Sequence, residues 1–385
     1  MINRVFLFVI DGMGVGEAPD ASKYQHAGVN TLAHLADRAG DLHLPTLESL
    51  GLGHVTNAKG LRQMAQPHAC FGRLAFCSTE VDSLTGNWEI AGCVYTSDRP
   101  VYAERFPDSI ITEIDRIFGR NVLGNTAAFG PEVLHRYGKQ SISHAAPIIW
   151  TDGRRSCHIA AHERVLRIEE LYQHCREARK SLKETTGLIR IVAHPLEGEA
   201  AAIRFKPARR DFAIEPPHQT MLDVLNRASQ ILIGVGKIGD LFSGRGLTRS
   251  TPVTSWSAAF DEVKGMLTKV PRGLIYAGLD LFHTGPHETA ASLTEFDGRL
   301  PELLEQLRPG DLFILTGDHG RDMSRTPYLP TREYVPLLVT GPKLSQGVNL
   351  GTRSSAADLA QTIVEVLRGA PLPVGDSFID ALQAG

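Results

Sequence analysis

Short runs of consecutive apolar residues recur along this chain, and helical patterns alternate with them. Residues 4–10 (RVFLFVI) and 312–315 (LFIL) have the length and continuous hydrophobicity of strands that are buried on both faces of a parallel sheet. Further strands are predicted at 71–77, 231–235, 274–279 and 334–340. Apolar residues recur at helical spacing at 30–38, 292–307 and 356–367. This alternation predicts an α/β fold with a central, mostly parallel sheet flanked by helices.

The pattern changes between about residue 94 and residue 217. Prolines, arginines and polar loops there separate short predicted strands at 146–150 and 188–193, and one long amphipathic helix is predicted at 168–183. A chain of 385 residues exceeds the size at which a single hydrophobic core stops growing, so two domains are expected. We therefore predict a core domain in two parts, 1–93 and 218–385, with a smaller α/β cap domain inserted at 94–217.

Composition and charge narrow the classes of function. The formal net charge of −3 gives no excess of basic residues of the kind that nucleic-acid-binding proteins present. No apolar run approaches the roughly 18 residues that a membrane span requires, and the first residues show no secretory signal pattern. The five cysteines are scattered without CxxC spacing, which is typical of reduced thiols. We expect a cytoplasmic protein that binds neither nucleic acid nor membrane, and its oligomeric state is left open.

Metal-competent side chains follow three of the predicted strands. They are Asp11, Asp280 with His283 and His287, and Asp318 with His319. Because ligands bind at the carboxyl ends of strands in open α/β sheets, these side chains are expected to meet at one edge of the sheet. Carboxylate and imidazole ligands suit Mn²⁺, Mg²⁺ or Zn²⁺. The alternatives are that Asp11 caps a helix and that residues 318–320 only form a turn.

A hydroxyl-rich segment, residues 79–89, leads into a predicted helix at 88–91. Hydroxyl groups there would lie near the free N–H groups and positive end of the helix, which is a suitable place for a nucleophile that receives a phosphoryl group. Ser83 or Thr85 would supply the hydroxyl. The alternative is that Ser83 or Thr85 is an ordinary helix cap.

Several longer motifs follow one another along the chain. They are 9–21 (VIDGMGVGEAPDA), 30–34 (NTLAH), 82–89 (DSLTGNWE), 159–163 (IAAHE), 236–240 (GKIGD), 317–320 (GDHG) and 331–338 (TREYVPLL). In content and order they resemble the phosphopentomutase family of the alkaline phosphatase superfamily of metalloenzymes. The resemblance extends from residue 4 to residue 382, insertion included. It implies an alkaline-phosphatase-like core with an inserted cap.

The resemblance also implies roles for individual residues. The family moves a phosphoryl group between the 1 and 5 hydroxyls of ribose or deoxyribose through a sugar bisphosphate, and the position of its phosphorylated threonine falls on Ser83. Two Mn²⁺-type ions hold the family's site, and one ligand set maps onto Asp11, Ser83, Asp318 and His319. Arg209 and Lys237 match positions on the phosphate side, and Arg154 lies where the family presents an acid to the sugar. A sugar bisphosphate primer is a further expectation.

The second ligand set departs from the family pattern. Asp280, His283 and His287 are its candidates, but an ungapped match puts Phe282 at the acid position and Pro330 at the last histidine position. We therefore expect the first ion to bind well and the second to bind weakly or not at all. Arg154, Arg155 or Arg325 is a candidate to supply positive charge in its place. In the loop around Ser83, the family's histidine is Asn87, and the family's Arg-Pro pair is His194-Pro195.

Three functions remain open on these residues. The first is a phosphopentomutase-like phosphotransferase that acts through phosphorylated Ser83. The second is a single-metal phosphohydrolase in which water takes the phosphoryl group, and the third is a catalytically weak sugar-phosphate-binding protein. Closure of the cap at 94–217, which would bring Arg154 and Arg209 to the substrate and exclude water, would favour transfer over hydrolysis.

Overall fold

The structure is a computed structural model that describes residues 2–182, 186–199, 202–282, 285–325 and 328–383. It divides into two compact units. The first comprises Met1–Thr96, Pro216–Gly239 and Gly244–Gly385, and the second comprises Ser97–Glu215 and Asp240–Ser243. The second unit spans nearly the range in which the sequence predicts an inserted cap. That this segment is an independent domain stays a prediction.

Fourteen strands lie in the described part of the chain. They are β1 (Arg4–Ile10), β2 (Cys70–Leu74), β3 (Leu123–Ala127), β4 (Ile148–Thr151), β5 (Ser156–His162), β6 (Arg190–Glu197), β7 (Arg204–Phe205), β8 (Arg210–Ala213), β9 (Leu232–Val235), β10 (Arg249–Thr251), β11 (Gly273–Leu279), β12 (Asp311–Gly317), β13 (Val335–Thr340) and β14 (Asn349–Arg353). The sequence therefore located the main strands of the first unit to within a few residues.

Thirteen α-helices lie in the same described ranges. They are α1 (Thr31–Ala39), α2 (Pro45–Ser49), α3 (Ser83–Ile90), α4 (Asp108–Phe118), α5 (Gly130–Ser143), α6 (Ile168–Ser181), α7 (Met221–Arg227), α8 (Ile238–Leu241), α9 (Trp256–Lys269), α10 (Pro286–Arg299), α11 (Pro301–Leu304), α12 (Ala357–Val366) and α13 (Ile379–Gln383). The single helix predicted at 292–307 is two helices, because Pro301 lacks the N–H group that would continue α10 and instead begins α11.

The first unit is built on an eight-stranded sheet. Its strands lie in the order β10-β9-β11-β1-β12-β13-β2-β14. Neighbouring strands are parallel except that β13 is antiparallel to both β12 and β2. The prediction of a central, mostly parallel sheet flanked by helices is confirmed.

The middle of this sheet is fully buried, as continuous apolar strands require. Phe8 of β1 packs against Phe313 of β12, with ring centroids 5.2 Å apart, and against Phe260 of α9 and Phe296 of α10. The first residue of β1, Arg4, forms a buried bidentate ion pair with Asp311 at 2.8 and 2.6 Å. These contacts join β1 to β12 and to the helices α9 and α10 that cover them.

The second unit has a six-stranded sheet. Strands β3 to β7 lie side by side in chain order, and β8 also pairs with β6. Alternate residues of β4, β5 and β6 face a core formed with α4 and α6, and the others face a smaller core on the opposite side. Trp150, His158 and His194 stack on that opposite side, and the Nδ1 atom of His158 lies 3.0 Å from the Nε2 atom of His194.

Among the helices of the described residues, none is long and apolar enough to cross a lipid bilayer.

Candidate active site

Two candidate metal ligands meet because two neighbouring strands end together. Strands β1 and β12 are parallel, with Ile10 opposite Gly317, so the following residues, Asp11 and Asp318, lie side by side. The backbone N–H of Gly12 donates a 3.1 Å hydrogen bond to Asp318 Oδ1. Ligand atoms of Asp11, Asp318 and His319 all lie within 4.8 Å of one another, and the three residues are buried. The carboxyl end of the sheet thus supplies a compact group of hard ligands.

Ser83 is the first residue of α3, and the sequence placed the start of this helix too late. Asp82 is the cap, rather than Ser83 or Thr85, because its side chain accepts 2.8 and 2.9 Å hydrogen bonds from the N–H and hydroxyl of Thr85. The Ser83 hydroxyl therefore does not cap the helix. It donates a 2.8 Å hydrogen bond to Asp11 Oδ2 and lies 3.2 Å from His319 Nε2.

The imidazole of His319 is oriented for ligation. Its Nδ1 atom lies 2.8 Å from the backbone carbonyl of Gly320, which fixes the proton on Nδ1. The Nε2 lone pair then faces Asp11 Oδ1 at 3.5 Å and Asp318 Oδ1 at 3.6 Å. A backbone carbonyl that holds the distal nitrogen is the usual support of a metal-binding histidine.

Lys237 places its ammonium group among the same ligands. Its Nζ atom forms a short ion pair with Asp11 and lies 3.9 Å from Asp318 Oδ2, 3.4 Å from Ser83 Oγ and 3.0 Å from Asp280 Oδ1. A positive charge therefore already lies within 4 Å of three of the four predicted first-site ligands. Together with the His319 orientation, this shows that the donor set fits one divalent cation.

The charges of this cluster shift its pKa values. Burial raises the pKa of the Asp11 carboxyl, but Lys237 and Arg321 outweigh burial and hold that pKa well below its ordinary value. Burial lowers the pKa of the Lys237 ammonium, but Asp11, Asp280 and Asp318 outweigh it and raise that pKa above its ordinary value. Asp11 is thus a carboxylate and Lys237 an ammonium at neutral pH.

Two residues of this site were not predicted from the sequence. Arg321 Nη2 donates a 2.8 Å hydrogen bond to Asp11 Oδ1. Asn87 donates from its side-chain nitrogen to Asp318 Oδ2 at 3.1 Å and to the carbonyl of Ser83 at 2.7 Å. Arg321 directly follows the 317–320 motif, and that position was the available signal. The role of Asn87 depends on a contact between distant segments and left no signal beyond its place in the Ser83 loop.

The candidates for a second ion are not brought together. Asp280 contacts Lys237 and has a side chain that is 60% exposed, whereas His287 lies exposed in the first turn of α10. His283 lies outside the described residues. Within the described ranges, the group of side chains that could hold a metal contains Asp11, Asp318 and His319, and neither Asp280 nor His287 belongs to it. The described residues therefore do not fit a second ion.

The predicted substrate-binding arginines lie in the second unit. Arg209 forms a bidentate ion pair with the buried Asp211 at 2.8 and 3.0 Å, and its side chain is 40% exposed. The backbone N–H of Arg154 donates to Asp152 Oδ1 at 2.9 Å. Lys237, the third predicted substrate-binding residue, belongs to the first unit and to the cluster around Asp11. Substrate binding by all three stays a prediction.

Comparison with known proteins places the whole chain in one family. A family model described as the metalloenzyme superfamily matches residues 277–370. The phosphopentomutase of Caldanaerobacter subterraneus subsp. tengcongensis is 38% identical over 99% of this chain and 98% of that protein. The phosphopentomutase of Desulfitobacterium hafniense is 38% identical over 99% of this chain and 100% of that protein.

Among solved structures, a protein in the alkaline phosphatase superfamily from Vibrio parahaemolyticus is similar over 97% of this chain and 69% of its own, with 10% identity and a TM-score of 0.44. The two enzymes of C. subterraneus and D. hafniense match this chain over almost its full length, insertion included. The resemblance found in the sequence motifs is confirmed, and the chain belongs to the phosphopentomutase family.

Proposed function

We propose that this protein is a metal-dependent phosphotransferase that interconverts the 1-phosphate and 5-phosphate of ribose or deoxyribose. The single observation that carries the proposal is the position of the Ser83 hydroxyl, 2.8 Å from Asp11 Oδ2 and 3.2 Å from His319 Nε2. Membership of the phosphopentomutase family supports the same reaction and substrate class.

In the proposed transfer, Ser83 Oγ forms a bond to the phosphorus of a sugar phosphate while the bond from that phosphorus to the sugar oxygen breaks. The Ser83 proton passes to its hydrogen-bond acceptor, Asp11 Oδ2, and from there to solvent, while the departing sugar oxygen takes one proton from solvent and becomes a hydroxyl. Phosphorylated Ser83 then gives its phosphoryl group to the free hydroxyl of a sugar monophosphate, which yields a bisphosphate. Return of the other phosphoryl group to Ser83 releases the isomer. Lys237, 3.4 Å from Ser83 Oγ, offsets the charge of the phosphoryl group.

We propose that Asp11, Ser83, Asp318 and His319 hold one divalent ion, with Mn²⁺, Mg²⁺ and Zn²⁺ all suited to the donors. Bound there, such an ion lowers the pKa of the Ser83 hydroxyl and neutralises phosphate charge. A cytoplasmic location, a sugar bisphosphate primer, and substrate contacts from Arg154 and Arg209 through cap closure belong to the same proposal.

The test follows isomer and free phosphate together. Purified protein is incubated with deoxyribose 1-phosphate, Mn²⁺ and a catalytic amount of a sugar bisphosphate, and ³¹P NMR records the products. We expect deoxyribose 5-phosphate without net phosphate release, and a phosphoryl group on Ser83 in the intact mass. Ser83→Ala should lose both signals, whereas Ser143→Ala, an exposed serine near the end of α5, should keep both.

The other two functions are outcomes of this experiment. Free phosphate that appears without isomer would favour a single-metal phosphohydrolase, in which water attacks the phosphorylated serine. Neither product, together with sugar-phosphate binding that survives Ser83→Ala, would favour a binding protein. In either case the mutase proposal would be wrong.

A further inference from the structure

Arg321 is held in place beside Asp11 by contacts with Thr31 and Gly12. Its N–H donates a 2.8 Å hydrogen bond to Thr31 Oγ1. Its side chain crosses Gly12, where an added Cβ atom would lie 2.9 Å from Arg321 Cβ. Because Gly12 also has a φ of +80°, glycine is suited to this position on two grounds. The guanidinium is therefore aimed at Asp11 by close packing.

Most of the hydrogen-bonding capacity of this guanidinium is unused. Within the described ranges its one hydrogen bond runs from Nη2 to Asp11 Oδ1, and its buried Nε–H has no partner. A guanidinium has five N–H donors in a planar fork, a geometry that matches two oxygens of a phosphate group. A buried donor without a partner is unfavourable unless a ligand completes it.

Arg321 and the Ser83 hydroxyl contact different oxygens of Asp11, and Lys237 shares the Ser83 oxygen. Arg321 contacts Oδ1, whereas the Ser83 hydroxyl donates to Oδ2 of the same carboxylate. The guanidinium and the nucleophile therefore lie on the two oxygens of one carboxyl group. Phosphate on Ser83 Oγ would place its oxygens next to a fixed positive charge.

We propose that Arg321 is an anion-binding residue that takes over the task of a second metal ion, so that the protein transfers phosphoryl groups with one divalent ion. The ligand class is a tetrahedral oxyanion, a phosphate monoester or the phosphoryl group on Ser83. The role in transfer rests on the proposed function, but oxyanion binding does not. Two-metal enzymes use the second ion to neutralise oxygens of the transferred group, and an arginine supplies the same charge in other phosphotransferases.

Two of the three arginines that the sequence suggested for this role, Arg155 and Arg325, are engaged elsewhere. Arg155 donates to backbone carbonyls of its own unit, among them those of Ser97 and Pro100. Arg325 donates to the carbonyl of Gln25. Among the described residues, Arg321 is the arginine whose hydrogen bond reaches Asp11. This makes Arg325→Ala a matched control, since it removes the same charge four residues away.

The test measures binding rather than turnover. Calorimetric titration with Mn²⁺, followed by titration of the Mn²⁺-loaded protein with inorganic phosphate, is carried out on the wild type, Arg321→Ala, Arg321→Lys and Arg325→Ala. The wild type should bind one Mn²⁺ per chain. Arg321→Ala should bind Mn²⁺ more tightly, because a positive charge beside Asp11 is lost, and should bind phosphate about 10- to 100-fold more weakly, the usual value of a charged hydrogen bond.

Tighter Mn²⁺ binding together with weaker phosphate binding separates an anion-binding role from a structural one, because loss of a structural residue would weaken the binding of both ions. Arg321→Lys, which keeps the charge without the fork, should bind phosphate with intermediate affinity and serves if the alanine variant does not fold. Arg325→Ala should match the wild type in both titrations. Two tightly bound Mn²⁺ ions per wild-type chain, or unchanged phosphate affinity in both Arg321 variants, would overturn the proposal.

These outcomes are distinct from failure of the proposed function. Ser83→Ala keeps Arg321 and should still bind phosphate, even if no isomer or phosphate release is ever found. A protein that binds phosphate through Arg321 but transfers nothing would therefore refute the mutase activity alone.

Discussion

The hydroxyl of Tyr276 donates a 2.7 Å hydrogen bond to the side-chain oxygen of Asn87, and both residues are fully buried. This bond leaves the amide nitrogen of Asn87 facing Asp318 and the Ser83 carbonyl, to which it donates. Strand β11 therefore orients the candidate metal ligand that follows β12, and the first residue of α3, through one amide group.

Replacement of Tyr276 by phenylalanine should weaken both the fold and the metal site. The variant removes the donor and leaves the Asn87 oxygen buried without it, a loss of about 1–3 kcal/mol in the free energy of unfolding. Freed to rotate, the amide no longer holds Asp318, so the Kd for Mn²⁺ should rise. Urea unfolding and calorimetric titration measure the two effects.

Tyr334→Phe is the control for this substitution. The Tyr334 ring packs over the Arg73 guanidinium, and no side-chain hydrogen bond of its hydroxyl is found in the described part of the chain. Unfolding free energy and Mn²⁺ affinity should both stay close to wild type. If Tyr276→Phe also bound Mn²⁺ as the wild type does, the orienting role of Asn87 would be refuted.

Gly86→Ala should impair metal binding although alanine favours helices. An added Cβ atom at Gly86 would lie 2.1 Å from the backbone oxygen of Asp318, so either α3 or the end of β12 has to move. We expect a loss of about 1–3 kcal/mol in unfolding free energy, as in other overpacked cores, and a weaker Mn²⁺ titration. Thermal unfolding and calorimetry test this.

Gly265→Ala, in α9, should stabilise the protein, whereas Gly86→Ala should destabilise it. An added Cβ atom there would have only the end of the Lys269 side chain near it, at 4.0 Å. Because alanine is favoured over glycine in helix interiors, this variant should gain up to about 1 kcal/mol. Equal effects of the two substitutions would show that the approach of α3 to Asp318 is looser than described.

The buried Arg4–Asp311 pair should make a large contribution to stability. Arg4 Nη1 also donates to the carbonyls of Leu267 and Val270 at the end of α9, at 2.7 and 2.6 Å. Arg4→Met leaves the Asp311 carboxylate buried without its partner, so we expect a loss of about 3–5 kcal/mol. Urea unfolding gives the value.

The double variant Arg4→Met/Asp311→Leu distinguishes the loss of the ion-pair attraction from the cost of leaving one charge buried without a partner. It removes both charges, so it should be less destabilised than the sum of the two single variants, with a coupling energy of about 1–3 kcal/mol. A coupling near zero would mean that the two side chains contribute independently.

Stability should decrease as pH falls below about 6.5 because of His158 and His194. Burial, then Arg209, lower the pKa of His194 from its ordinary 6.5 to about 3, and burial and His194 lower the pKa of His158 well below its ordinary value. Between pH 6.5 and pH 3, His194 is protonated in the unfolded chain but neutral in the folded chain. The free energy of unfolding is therefore not reduced by His194 above pH 6.5. It decreases as the pH falls towards 3, by roughly 3 kcal/mol at pH 4.

His194→Gln should flatten this dependence when urea midpoints are compared from pH 7 to pH 4. His135→Gln, an exposed histidine on α5 of the same unit, should leave the slope unchanged. Equal slopes in wild type and His194→Gln would refute this pH linkage. Asp211, whose pKa is lowered by Arg209 and Arg190 despite burial, adds its own loss only at lower pH, below about 3.8.

The strand ends were predictable because hydrophobic runs and the polar residues that follow them are local in sequence. Asp11 and Asp318 meet because their strands are parallel neighbours, and that neighbourhood follows from general rules for α/β sheets. The start of α3 was misplaced since Leu84, Thr85 and Gly86 carry no clear helical periodicity, although the capping role of Asp82 was readable in principle.

The contacts of Arg321 and of Asn87 were not predictable in the same way. Arg321 reaches Asp11 only because the chain passes over Gly12, and Tyr276 reaches Asn87 from another strand. Each contact depends on side-chain direction in three dimensions rather than on spacing. The sequence alone accordingly suggested other arginines for the charge that Arg321 supplies.

Strand β1 is synthesised long before either of the two strands that it pairs with. It lies between β11 and β12, and Arg4 pairs in register with Gly273 and with Asp311. This largely apolar seven-residue segment therefore has neither neighbour until β11 and β12 have been synthesised. Such delayed, long-range pairing slows folding and exposes a strand edge to aggregation. We expect the nascent chain to depend on chaperones, and Asp11 to meet the other ligands only after synthesis has passed β12.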